Sequence, residues 1–239
     1  MKRILISGGN GEFAKELQRH NTKYEIVAPS KKEMDITKTE DIDYFIYSNK
    51  PDYFIHAGAL TRPMVIHESE PNKSIITNII GTSNVVLACM KYNLKLIYLS
   101  TDYVYPGIKG NYDEDDYLKP FTNYGWSKLG GECAVRLYDN HLILRMAMNK
   151  RPFPHPKALV DMKKSLMYID DASKVVLELL DEMGTINIGG KSQSVYNFVK
   201  ESNPNIGKIY LNDIEDVNMA TDCSMDTTKM KELLNDTII

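Results

Sequence analysis

Tyr124 and Lys128 stand four residues apart in Tyr124-Gly125-Trp126-Ser127-Lys128, so on a helix both side chains leave from one face. A phenol has a reference pKa of roughly 10 and exchanges its proton reluctantly at neutral pH. A nearby ammonium favours the phenolate and lowers that value. Upstream, Leu99-Ser100-Thr101-Asp102-Tyr103-Val104-Tyr105 supplies Thr101, whose hydroxyl is suited to bond the same substrate oxygen. The three groups make an acid/base device for reducing a carbonyl or oxidising an alcohol.

Spacing alone is weak, because Tyr-x-x-x-Lys also occurs at Tyr105/Lys109 and Tyr196/Lys200. The first of these encloses Pro106 and Gly107, which oppose a helix. The second lies late in the chain, with no Ser-Thr pair ahead of it. Only Tyr124/Lys128 follows a strand-like run, Lys95–Ser100, and opens a helical pattern.

Positioning elements are legible from the start of the chain. Arg3–Ser7 is an apolar run suited to a buried strand, and Gly8-Gly9-Asn10-Gly11-Glu12-Phe13-Ala14 follows at once, ahead of a helical pattern. Glycines between strand and helix let backbone approach a pyrophosphate held at the helix N-terminus. Gly8, Asn10, Gly11, Glu12 and Phe13 are therefore candidate cofactor contacts, and Ala14 is small enough for helix to pack on strand. The second strand, Tyr24–Ala28, should end beside an adenosine ribose. No carboxylate stands there to accept a 2′-hydroxyl; the chain reads Pro29-Ser30-Lys31-Lys32. Ser30 and Lys31 suit a 2′-phosphate, which favours NADP, with NAD as the alternative. Asp35 and Ile36 follow, Asp35 placed to approach the adenine. The third strand, Asp52–His56, ends in Ala57-Gly58-Ala59, small residues that admit a cofactor backbone.

With 239 residues the chain can bury a substantial core, and a net charge of −3 argues against a large nucleic-acid footprint. No uninterrupted apolar run reaches the ~18 residues of a membrane span. Cys89, Cys133 and Cys223 form no paired framework, which fits a reduced, cytoplasmic setting. His20, His56, His67, His141 and His155 lack metal-ligand spacing, so no metal site is expected. Strands alternating with amphipathic segments predict an α/β fold: a Rossmann-type, doubly wound parallel sheet. Later elements are expected at Pro71–Lys91 (helix), His141–Arg145 and Leu166–Ile169 (strands), Asp171–Asp181 (helix), Thr185–Ile188 and Ile209–Leu211 (strands), and Thr227–Leu234 (helix). Three prolines in Arg151–Pro156 break the pattern. Residues 1–150 are read as the dinucleotide-binding domain, and 151–239 as a small, shortened C-terminal substrate lobe with some elements returning to the sheet.

The chain resembles the extended short-chain dehydrogenases, and within them the dTDP-4-dehydrorhamnose reductase branch. The matching landmarks are Ser7–Gly11, Met34-Asp-Ile-Thr37, Ala57-Gly-Ala59 with Thr61, Asn78-Ile-Ile-Gly-Thr82, Ser100–Tyr105 and Tyr124–Leu129. Tyr168–Asp171, Asn187–Gly190 and Ser224–Thr228 extend the match towards the C-terminus. The resemblance implies that a nicotinamide delivers hydride to C4 of a 4-keto-6-deoxy sugar nucleotide while Tyr124 donates the proton. Lys128 would lower the phenol pKa and bond the nicotinamide ribose. Thr101 would bond the substrate oxygen, with Asp102 and Thr61 in the sugar pocket. Where the family usually reads Arg-Thr-Ser-Trp, this chain has Arg145-Met-Ala-Met148, and 149–165 is much shorter than the family's substrate lobe. Either the substrate differs, or a neighbouring copy in a homodimer helps form the pocket. A nucleotide-sugar epimerase and a non-catalytic cofactor-binding regulatory subunit are the competing expectations.

Overall fold

In a computed structural model that describes residues 1–214 and 219–235, the short apolar runs become parallel strands tied by helices. The first half runs β1 (Arg3–Ser7), α1 (Glu12–His20), β2 (Glu25–Val27), α2 (Thr39–Asn49), β3 (Tyr53–His56), α3 (Val65–Ser69) and α4 (Pro71–Ser74). A π-helical turn, Ile75–Ile80, leads into α5 (Gly81–Tyr92), followed by β4 (Lys95–Thr101), α6 (Asn123–Val135) and β5 (His141–Met146). Short strands β6 (Met148–Asn149), β7 (Lys157–Leu159), β8 (Lys163–Lys164) and β9 (Met167–Tyr168) precede α7 (Ile169–Glu178) and β10 (Gly184–Ile188). The remainder comprises β11 (Gln193–Ser194), α8 (Val195–Ser202), β12 (Gly207–Ile209) and α9 (Thr228–Leu233).

The main sheet has six strands in the order β2-β1-β3-β4-β5-β10, all pairs parallel. Helices cover both faces, which is why Ile4, Leu5 and Ile6 read as a continuous apolar run and are all fully buried. On one face α1 and α7 bring Phe13, Leu17, Val175 and Val176 against the strands. On the other, α2, α5 and α6 contribute Ile42, Ile46, Val85, Cys89 and Val135. A third cluster, with Tyr105, Tyr112, Ala147, Leu159, Phe198 and Cys223, gathers beyond the carboxyl ends of β4 and β5. The connections diverge between β1 and β3, leaving a crevice at the carboxyl edge where such sheets bind ligands.

Two strand expectations shift. The strand placed at Leu166–Ile169 shortens to Met167–Tyr168, because Asp170 and Asp171 stabilise a helix start and α7 begins at Ile169. The strand placed at Ile209–Leu211 lies at Gly207–Ile209, where it pairs in parallel with β7. The helical run Pro71–Tyr92 is 22 residues with mean hydropathy 1.2, long and apolar enough by those criteria to cross a membrane. Thr77, Asn78, Ser83 and Asn84 interrupt it in sequence, so no continuous apolar run marks it. Val85, Val86 and Cys89 face the core, whereas Ile76, Ile80 and Leu87 are exposed. Of the cysteines, Cys89 and Cys223 are buried and Cys133 is exposed.

Candidate active site

The crevice is built where three strand-end loops interlock. Gly8 has φ +77°, the left-handed region that favours glycine, and a Cβ there would stand 3.0 Å from Gly58 Cα. A Cβ on Gly9 would collide with the Ala28 carbonyl oxygen, and the Gly9 N–H donates to the Pro29 carbonyl at 3.0 Å. Ser7 Oγ accepts from the Gly58 N–H at 3.0 Å and meets His56 Nδ1 at 2.8 Å; His56 Nε2 meets Thr82 Oγ1 at 3.0 Å. Burial, aided by the Lys128 charge, pushes the His56 pKa down to about 3, so this link is neutral. Gly11 caps α1 without a side chain, leaving the amino-terminal N–H groups of the helix available at the crevice. That donor set fits a pyrophosphate.

Asn10, Gly11 and Glu12 are exposed at this helix start, as a cofactor role requires. The Phe13 side chain packs into the core with Leu17, because α1 turns its apolar face to the sheet. Only its backbone stands at the helix start. The Glu12 carboxylate pairs with Lys150 at 3.3 Å. Beyond β2, Ser30 is half-buried with its N–H on Glu33 Oε2 at 2.7 Å, and Lys31 is exposed. Asp35 Oδ1 accepts from the Thr37 N–H and hydroxyl at 3.0 and 2.9 Å. Ile36 is buried and fills the space left by Gly81. Ala57, Gly58 and Ala59 are half-buried after β3, and Thr61 is exposed.

Thr101 ends β4, where its hydroxyl accepts from the Tyr103 N–H at 3.3 Å and approaches Asp102 Oδ1 at 3.2 Å. Helix α6 starts beside it because Thr122 Oγ1 accepts from the Gly125 N–H at 3.1 Å. Gly125 lets the helix abut Tyr103, whose carbonyl oxygen a Cβ would strike. Tyr124 is thereby brought beside Thr101, whose hydroxyl acts on the phenol. Its ring lies 5.0 Å from His67 and 6.0 Å from Tyr103. One turn on, Lys128 is buried with Nζ 4.0 Å from the Tyr98 ring centroid. Burial pushes the Lys128 pKa down to about 7, against the pull of Glu132. Burial pushes the Tyr124 phenol up to about 12, opposed first by the Thr101 hydroxyl. The largest charged influences on Tyr124 come from Asp102 and Lys164, and burial outweighs both.

Three supports had no place among the expected site residues. Asn78, in the π-helical turn, accepts from the Leu60 N–H at 2.8 Å and donates to the Leu60 carbonyl and Ser127 Oγ, both at 2.9 Å. It ties the loop after β3 to α6, a placement common for π turns at functional sites. Its signal was the Asn78–Thr82 landmark. Glu132, one turn beyond Lys128, forms a fully buried pair with Arg145 at 2.9 Å and accepts from Ser100 Oγ at 2.5 Å. The Lys128/Glu132 spacing was readable. Lys164 pairs with Asp102 at 2.8 Å and had no local signal.

Beside this group opens a cavity of about 480 Å³. Tyr103, Met148, Phe153 and Leu166 give it apolar walls; Arg62, Lys157 and Lys164 give it positive charge. The proline-rich segment lines the cavity through Phe153, His155, Pro156 and Lys157 rather than filling it.

Residues 1–149 match the family model of the RmlD substrate binding domain. The chain belongs to this family. A dTDP-4-dehydrorhamnose reductase from Aggregatibacter actinomycetemcomitans is 34% identical over 150 residues, covering 61% of this chain and 51% of that protein. Methionine adenosyltransferase 2 subunit beta from Rattus norvegicus is 30% identical over 143 residues, covering 56% and 42%. This RmlD-family chain thus spans about half the length of the curated relatives it matches. Among solved structures, the dTDP-4-dehydrorhamnose reductase from Bacillus anthracis str. Ames in complex with NADP superposes with TM-score 0.86 and 25% identity, covering 100% of this chain and 93% of that one.

Proposed function

We propose that this RmlD-family chain is an NADP(H)-dependent reductase of the C4 keto group of a 4-keto-6-deoxy sugar nucleotide. The observation that carries this conclusion is the meeting of Thr101, at the end of β4, with Tyr124 at the start of α6 and Lys128 one turn on, at the carboxyl edge of a parallel sheet beside a cationic cavity. NADP, or NAD as alternative, would lie along the α1 N-terminus, Gly8–Phe13, and the Ala57–Ala59 loop, with Ser30 and Lys31 at the 2′-phosphate and Asp35 and Ile36 near the adenine. When bound, the nicotinamide supplies a hydride. Tyr124 holds the proton that the C4 oxygen takes up, and a phenol pushed up to about 12 stays protonated for that task at neutral pH. Thr101 orients the same oxygen. Lys128 bonds the nicotinamide ribose, and an anionic cofactor nearby restores its charge.

Residues 151–239 serve as the substrate lobe in this scheme, with Met148 and Phe153 replacing the hydrocarbon wall of the absent indole. Arg62 and Lys157 suit a diphosphate, with Thr61 and Asp102 nearer the sugar. The similarity to the adenosyltransferase beta subunit favours a second role, a cofactor-binding regulatory subunit. The open cavity counts against it. Screening NADPH oxidation against dTDP- and UDP-linked 4-keto-6-deoxyhexoses, with product stereochemistry checked, tests the proposal. Cofactor binding without turnover on any of them would leave the regulatory role.

A further inference from the structure

Lys164 is a half-buried cation brought to the proton donor from a distant part of the chain. Strand β8 is held on both sides, by antiparallel pairing with β11 and by Lys163 backbone bonds to Thr221 and Cys223 at 2.9 and 3.0 Å. The Lys164 side chain is only 11% exposed, its Nζ 2.8 Å from Asp102 Oδ2 and 4.1 Å from the Tyr103 ring centroid. Asp102, itself buried, is the neighbour of Thr101, whose hydroxyl it meets at 3.2 Å. We propose that Lys164 is a positioning residue of the reaction: its ammonium fixes the Asp102 carboxylate and cancels that charge beside the Tyr124 phenol. This rests on Tyr124 being the proton donor.

The electrostatics agree in sign. Burial lifts the Asp102 carboxyl, and Lys164 is the main group pulling it down. Burial works against the Lys164 ammonium too, but Asp102 and Tyr103 outweigh it and leave its pKa raised. At Tyr124, Asp102 raises the phenol and Lys164 lowers it. The groups facing this pair are Thr101 and Tyr103 from the β4 end, Tyr124 from α6, and Cys223, which itself faces Asp222. His67 from α3 lies against Tyr124 with the two rings tilted by 56° and their centroids 5.0 Å apart. An unbalanced carboxylate here would make the phenol a weaker acid and would repel charge developing on the substrate oxygen.

The test uses Lys164→Met, Asp102→Asn and the double variant, with folding monitored by thermal melts and NADPH binding. Tyr124 is followed by NMR of ¹³C-labelled tyrosine, assigned by difference with Tyr124→Phe, so this readout does not depend on turnover. In Asp102→Asn, Lys164 is left uncompensated and the onset of Tyr124 titration should fall by about one unit or more, a tenfold change in the ionisation constant. The double variant should return close to wild type. In pH–rate profiles of NADPH oxidation with a dTDP-linked 4-keto-6-deoxyhexose, Lys164→Met should add an ionisation that slows turnover as pH rises, and the double variant should lose it. An unmoved Tyr124 titration in Asp102→Asn, or an added ionisation that persists in the double variant, would overturn the proposal. Absence of wild-type turnover on any substrate would instead refute the reductase function and leave the NMR test standing.

Discussion

Tyr124 and Lys128 enter the site with pKa values moved in opposite directions, and each shift has a consequence at the scale of the single residue. Tyr124→Phe removes only the transferable proton, so NADPH affinity should hold while turnover falls by about 10²–10⁴-fold. Fluorescence titration and steady-state kinetics on the same preparation check both halves. For Lys128 the folded value of about 7 lies below the ordinary 10.5, so between these limits the unfolded chain binds a proton that the folded chain has released. Stability contributed by this group therefore rises with pH across that window, and Lys128→Met should flatten the rise in urea denaturation series. Lys31→Ala should weaken NADPH by about tenfold, the equivalent of one exposed phosphate contact, and leave NADH unchanged. Equal losses for both cofactors would remove the 2′-phosphate assignment. That Tyr124 and Lys128 share one helix face was legible in the sequence, because a helical turn brings i and i+4 together whatever surrounds them. Their pKa values were not, because burial depends on Tyr98, Tyr103 and His67, contributed by other elements.

The interlocked loops after β1, β2 and β3 act as one element. Gly9→Ala would drive a methyl group into the Ala28 carbonyl, prising the first two loops apart. Loss of cofactor binding in calorimetry, with the fold retained by circular dichroism, is the expected result. His56 links the same region to α5 through Ser7 and Thr82. Its folded pKa of about 3 lies below the ordinary 6.5, so the unfolded chain takes up the proton first as pH falls. The stability it supports is complete above about 6.5 and drains away towards 3. Denaturation midpoints measured across that range should decline less steeply in His56→Gln. The glycine run and strand alternation made these elements readable in order. The bonds of Asn78 to Leu60 and Ser127 were not readable, because they join positions distant in sequence through a π turn that periodicity does not reveal.

At the scale of the molecule, five strands from the first 149 residues and β10 from beyond them complete one sheet, so the family-matching portion does not close the sheet alone. The later residues also supply most of the cavity wall. Crystals soaked with a nucleoside-diphosphate sugar should show the diphosphate between Arg62 and Lys157 and the sugar towards Tyr103. Lys157→Ala should raise KM with little change in kcat, since that contact is present before and during the reaction. A sequence scan places the three prolines as a boundary but cannot say whether they close or wall a cleft, which depends on where β7 and β12 dock.

The unequal burial of the three cysteines makes the protein its own gauge of opening. With Cys89 inside one core and Cys223 inside another, a thiol reagent meets Cys133 alone on the folded surface. One adduct by intact mass should therefore mark the native state. A second at Cys89 would report loosening of the helix layer over the sheet, and one at Cys223 loosening of the cluster behind the Asp102–Lys164 pair. Mild urea with timed quenching would reveal which opens first, and whether NADPH slows one site, the other or both.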